Sequence, residues 1–139
     1  MAMVSTTGLH VIRALAYLAM QPKGTKMSAA LIAAEVHAPA NYLGKLLQTL
    51  ANEGLLHSQK GHGGGFSLAR SAEKISLYDV LDPIERLSAH PACFFGWKRC
   101  QDKNPCSMHD QWGPQRDSFY NLLKTTTINR ISQGEIFEK

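Results

Sequence analysis

Apolar residues recur at helical spacing from the start of the chain. Leu9, Ile12, Leu15, Ala16 and Ala19 share one face, which predicts a helix over residues 6–20 that stops before Gln21-Pro22-Lys23-Gly24. Ser28 is placed to cap a second helix through Val36, with Leu31, Ile32 and Val36 as its apolar side. The next segment has Pro39 near its first turn and Gly54 just past its last, the usual asymmetry of helix ends. Within it Leu43, Leu46, Leu47 and Leu50 share a face, while Asn41, Lys45, Gln48 and Asn52 fall opposite. Two short helices joined tightly through His37-Ala38 predict a helix-turn-helix.

Beyond Gly54 the pattern changes. Residues 55–60 and 66–70 read as two short strands around Gly61-His62-Gly63-Gly64-Gly65, a hairpin placed where a wing would follow the reading helix. Residues 75–81 predict a fourth short helix, and Pro83 disfavours its continuation. A cysteine-containing loop follows, then a helix over 112–123 carrying Trp112, Phe119, Leu122 and Leu123. Such a stripe beyond the core would stay exposed unless another chain covered it, so it predicts a homodimer; folding back onto its own domain is the alternative. The expected fold is mainly α with a small β-hairpin: a winged helix-turn-helix over 1–82, a cluster-binding loop over 83–110, and a dimerisation helix with C-terminal tail over 111–139.

Charge sharpens this picture because it is uneven. The net charge is +4, and residues 1–70 hold all of the excess, with six basic residues against Glu35 and Glu53; residues 71–139 balance nine against nine. An anionic partner for the first half is implied, and with a helix-turn-helix and wing that partner is double-stranded DNA. Asn41 and Gln48 can present paired donor and acceptor groups to adenine, Lys45 can reach guanine or phosphate, and Tyr42 can hold a phosphate. Lys60 and His62 at the wing tip would reach the neighbouring backbone or minor groove, where glycines let the chain approach closely. The glycine run lacks the Gly-Lys-Ser/Thr ending of a nucleotide-binding loop and leads into a strand. No apolar run is long enough to cross a bilayer and no secretory leader pattern opens the chain, so a cytoplasmic protein is expected.

The remaining chemistry lies in one segment. Cys93, Cys100, Cys106 and His109 give the spacing C-x6-C-x5-C-x2-H. Three cysteines leave one over in any disulfide scheme, and thiolates with an imidazole suit zinc or an iron–sulfur cluster. The gaps are wider than the usual zinc knuckle. A thiol switch is a further alternative, since Lys98 and Arg99 beside Cys100 would favour its thiolate. No nucleophile, base and orienting group fall together as in an enzyme; an electron-transfer module is the alternative from another class.

Residues 13–19 (RALAYLA), 42–47 (YLGKLL), 54–56 (GLL), 61–66 (GHGGGF), 75–80 (ISLYDV), the three cysteines and Thr126-Thr127-Ile128 together resemble the Rrf-type family of bacterial regulators, with its IscR-, NsrR- and CymR-like members, over almost the whole chain. The resemblance implies a homodimeric winged-helix regulator with crossed C-terminal helices, whose cluster state changes its grip on a palindromic promoter. It matches Cys93, Cys100 and Cys106 to the cysteine ligands, and His109, followed three residues on by Trp112, to the histidine of 2Fe-2S members. The first cysteine gap is one residue longer than in IscR- and NsrR-like members. Leu9 stands near the acidic ligand of 4Fe-4S, nitric-oxide-sensing members and cannot ligate, with His10 as its only nearby substitute. Gly44 replaces a recognition-helix glutamate, so no DNA sequence preference carries over. The expectation is a non-enzymatic iron–sulfur repressor, 2Fe-2S rather than 4Fe-4S or zinc.

Overall fold

The structure is a computed structural model and describes residues 4–89, 92–96 and 103–138. Helix α1 (Thr6–Met20) is the axis of the molecule, capped by Ser5, whose hydroxyl accepts from the Gly8 N–H at 3.0 Å. Val11, Ala14, Leu15 and Ala16 are fully buried because α2 (Ala29–Val36), α4 (Leu77–Glu85) and α6 (Ile128–Ser132) all pack around them. Gly8 permits the close approach of α4: a Cβ there would lie 2.8 Å from Leu81.

Helix α3 (Ala40–Asn52) buries Leu43, Leu47 and Leu50 completely in this core, each worth roughly 2 kcal/mol of transfer free energy. Between α2 and α3, His37 takes the left-handed conformation (φ 57°, ψ 46°), which makes the sharp turn of the helix-turn-helix. Its ring meets Phe137 edge-on, with centroids 5.2 Å apart. The C-terminal segment thus reaches back to the reading motif, helped by Arg13, whose Nε donates to the Ile136 carbonyl at 2.8 Å and whose guanidinium lies over Phe137.

Strands β1 (Leu56–Gln59) and β2 (Gly65–Leu68) pair antiparallel, Leu56 with Leu68 and Gln59 with Gly65. The hairpin is not free at its base. Met27, just before α2, exchanges both backbone hydrogen bonds with Phe66, at 2.9 and 2.8 Å. Gly65 permits this docking, since a Cβ there would lie 2.6 Å from the Met27 backbone, whereas Gly64 closes the hairpin turn, a Cβ there lying 2.2 Å from the Gln59 carbonyl oxygen.

The second half departs from the expected boundaries. Helix α4 starts at Leu77, not Ile75, because Ser76 and Asp79 form a capping box and Ile75 is taken up by a backbone pairing with Ile128. It also runs through Pro83 to Glu85. Proline there forfeits one hydrogen bond, and burial of Leu81 and Leu87 around that turn offsets the loss. Helix α5 (His109–Thr125) likewise contains Pro114 and begins three residues before Trp112, so His109 is helical. The tail is structured as well: α6 places fully buried Ile128 against α1.

The wing contact gives the first prediction. Gly65→Ala must strain a φ of 139° and push on Met27, and it is expected to lower the urea-unfolding free energy by about 2 kcal/mol. Gly134→Ala, with open space around it and no positive φ, should change it by less than about 0.5 kcal/mol.

Candidate nucleic-acid interface and cysteine site

Because α3 turns its leucines inward, Asn41, Lys45 and Gln48 stand exposed on one outer surface, with Lys60 and His62 exposed on the adjoining wing. Gln48 is held at both ends: its Nε2 donates to Asn52 Oδ1 at 3.1 Å, and its Oε1 accepts from Ser58 Oγ at 3.1 Å. These exposed bonds pre-orient the amide and exchange cheaply for bonds to a base. Lys26 also lies against the wing, its ammonium donating to Gln59 Oε1. Sequence reasoning missed Lys26 because only the Met27–Phe66 pairing brings it beside the hairpin.

Tyr42 differs from its expected placement. It is half-buried, its hydroxyl donates to Thr7 Oγ1 on α1 at 2.6 Å, and its ring meets His10 edge-on with centroids 5.7 Å apart. The His10 Nδ1 beside it is buried with no hydrogen-bond partner among the described residues. In this position Tyr42 fastens the reading helix to α1.

In the second candidate site, Cys93 and Cys106 are both buried, with Sγ atoms 3.8 Å apart, Cys93 donating to Cys106. That exceeds a disulfide bond. It matches two thiolates on one tetrahedral ion, since metal–sulfur bonds of about 2.3 Å place the sulfurs about 3.8 Å apart. The donor set therefore fits a thiolate-bound metal or cluster. His109 opens α5, and its N–H donates to the Cys106 carbonyl at 3.1 Å. Among the described residues no three His, Cys, Asp or Glu side chains converge, so His109 is not gathered with the two thiols; Cys100, Lys98 and Arg99 lie outside the described residues.

The expected dimerisation residues divide. Leu123 is buried in its own chain and Phe119 packs partly against the same core, whereas Leu122 is 56% exposed. Trp112 is half-buried, and its Nε1 donates to the Ala92 carbonyl at 2.9 Å. Tyr120, which the sequence reading did not single out, accepts from the Ala92 N–H at 3.1 Å and meets Tyr78 of α4, centroids 6.2 Å apart. Burial raises the Tyr78 pKa above its usual value, with further upward contributions from Asp82 and Tyr120. No described helix is long and apolar enough to cross a membrane.

An inward-packed helix-turn-helix with a docked hairpin defines the winged-helix class of DNA-binding proteins. Within that class the particular family is clear. The profile of Rrf2, described as iron-dependent transcriptional regulator, matches residues 4–134; the chain belongs to the Rrf2 family of transcriptional regulators and is not an enzyme. An Aquifex aeolicus protein named as an HTH-type transcriptional regulator is 30% identical over 129 residues, covering 91% of this chain and 89% of its own. A Haemophilus influenzae protein with the same name is 27% identical over 136 residues, covering 98% and 87%. Among solved structures, Staphylococcus aureus CymR in its oxidised form superposes with a TM-score of 0.74 at 26% identity, covering 96% of this chain and 98% of that one. Bacillus subtilis CymR, the global cysteine regulator, gives 0.77 at 22% identity over 96% and 98%, and T. potens IscR gives 0.74 at 23% over 95% and 87%; these two establish the fold alone.

The Tyr42 placement is testable by a double-mutant cycle. Tyr42→Phe and Thr7→Ala should each lower unfolding free energy by about 1 kcal/mol, and together by little more than either alone. A Tyr42→Phe variant of undiminished stability but weakened DNA binding would instead put the hydroxyl on a phosphate.

Proposed function

We propose that this protein is a homodimeric transcriptional repressor whose grip on a palindromic DNA site is controlled by an iron–sulfur cluster, 2Fe-2S, held by Cys93, Cys100, Cys106 and His109. The observation that carries the reading is the buried Cys93–Cys106 pair, 3.8 Å between sulfurs, a separation suited to one tetrahedral metal ion. When bound, the cluster supplies an iron- and redox-sensitive cross-link between the cysteine loop and the first turn of α5.

The chain's own residues do the rest. Asn41, Lys45 and Gln48 read base edges from α3, while Lys60, His62 and Lys26 hold the backbone around the wing. The exposed side chains of Leu122 on α5 and of Phe94 and Phe95 in the loop, at 56%, 52% and 55%, would be covered by a second copy. In such a dimer α5 sets the spacing of the two reading helices, which must lie about one duplex turn apart. Ordering the cysteine loop against α5 therefore changes how well both helices fit at once.

The same distance supports a second reading, a thiol switch in the same fold. A peroxide would take two electrons and two protons from Cys93 and Cys106, forming the S–S bond and releasing two waters.

Iron and acid-labile sulfide on protein purified without oxygen separate the readings. Two of each per chain are expected, with visible absorption lost in Cys100→Ala. Colourless protein carrying zinc contradicts the cluster reading, and colourless metal-free protein that loses two mass units with peroxide favours the thiol switch.

A further inference from the structure

We infer that Trp112 and Tyr120 clamp the backbone beside Cys93, holding Cys93 against Cys106 independently of any bound group. They are positioning residues of the cysteine site, an inference that rests on the loop being a metal or cluster site. Ala92 lies in irregular, exposed chain, where its polar groups would ordinarily be left to water. Instead both are engaged by one helix. Its N–H donates to Tyr120 and its carbonyl accepts from Trp112 Nε1, at 3.1 and 2.9 Å.

On the other side of Cys93, the Phe94 ring rests edge-on against Trp112, with centroids 6.0 Å apart. Both chain neighbours of this thiol are thus held by α5. The Gly96 N–H then closes back onto the Cys93 carbonyl at 3.0 Å, and Cys106 is joined to the same helix through the His109 N–H. Thirteen positions separate the cysteines in sequence, and the stretch between contains no described helix or strand. Without such anchoring, bringing the two sulfurs together would cost the entropy of closing that loop.

Tyr120 extends the support to the core through its ring contact with Tyr78 on α4, over which the Lys124 ammonium sits 4.8 Å from the centroid. The indole N–H and the phenol hold Ala92, and the Trp112 ring adds the contact with Phe94. Partners of this kind behind metal-binding side chains commonly change metal affinity by 10- to 100-fold (order of magnitude, roughly) when removed.

Trp112→Phe and Tyr120→Phe in the full chain keep a ring and remove one hydrogen bond each. In metal-free, reduced protein, each variant should speed iodoacetamide alkylation of Cys93 about fivefold, read by peptide mass, with Cys106 less affected. Each should also weaken cobalt(II) binding about tenfold, followed by thiolate-to-cobalt absorption. Rates and affinities within about twofold of wild type overturn the clamp, as does equal acceleration at both cysteines with a lowered melting temperature. If wild type takes up neither cobalt nor iron, the cluster reading fails, and the alkylation ratio still decides the clamp.

Discussion

Two backbone hydrogen bonds, from Leu77 N–H to the Thr126 carbonyl at 2.9 Å and from Ile128 N–H to the Ile75 carbonyl at 2.8 Å, bring the two ends of residues 77–126 together beside α1. Everything between, α4, the cysteine loop and α5, leaves and returns at the same place. The returning strand of chain then delivers Ile128 into the packing around α1. The cysteine loop is tied to α5, α5 packs on α4, and α4 in turn packs on α1 and α3. Helix α4 is thus the element through which α5 meets the helices of the reading motif.

Docking of the wing obeys the same economy of short connections. Met27 precedes α2 and pairs with Phe66 in β2, so the start of the helix-turn-helix and the hairpin move together. Side-chain hydrogen bonds then tie β1 to its neighbours, Ser58 to Gln48 on α3 and Gln59 to Lys26 before α2. A basic first half with polar groups already oriented is suited to a duplex, whose phosphates supply most of the affinity and whose base edges supply the choice of site.

Much of this is legible in the residues alone, and the exceptions have physical causes. Helices α1 to α3 and the wing each carry their own period and stop signal, so local pattern and tertiary burial agree. Pro83 misleads because its local cost is outweighed by packing that the sequence does not display. Helix α6 is too short to show a period, and Lys26 is placed by a strand-like pairing of a single residue. In the cysteine segment the residue types and spacing are readable, but the facing of Cys93 and Cys106 is not, because it is a contact between residues thirteen positions apart. The hydrogen bonds of Tyr42 to Thr7 and of Trp112 to Ala92 are not legible either, because each joins residues far apart in sequence.

What unites these features is a reader braced by the same helices that carry the cysteine loop. The direct test is the affinity of the protein for a duplex selected from a random pool, measured at one fixed salt concentration after loading with iron and sulfide and after metal removal under reducing conditions. A change of about tenfold or more is expected, corresponding to a coupling free energy of about 1.4 kcal/mol. Equal affinities in the two states would contradict a reader governed by its cysteine loop.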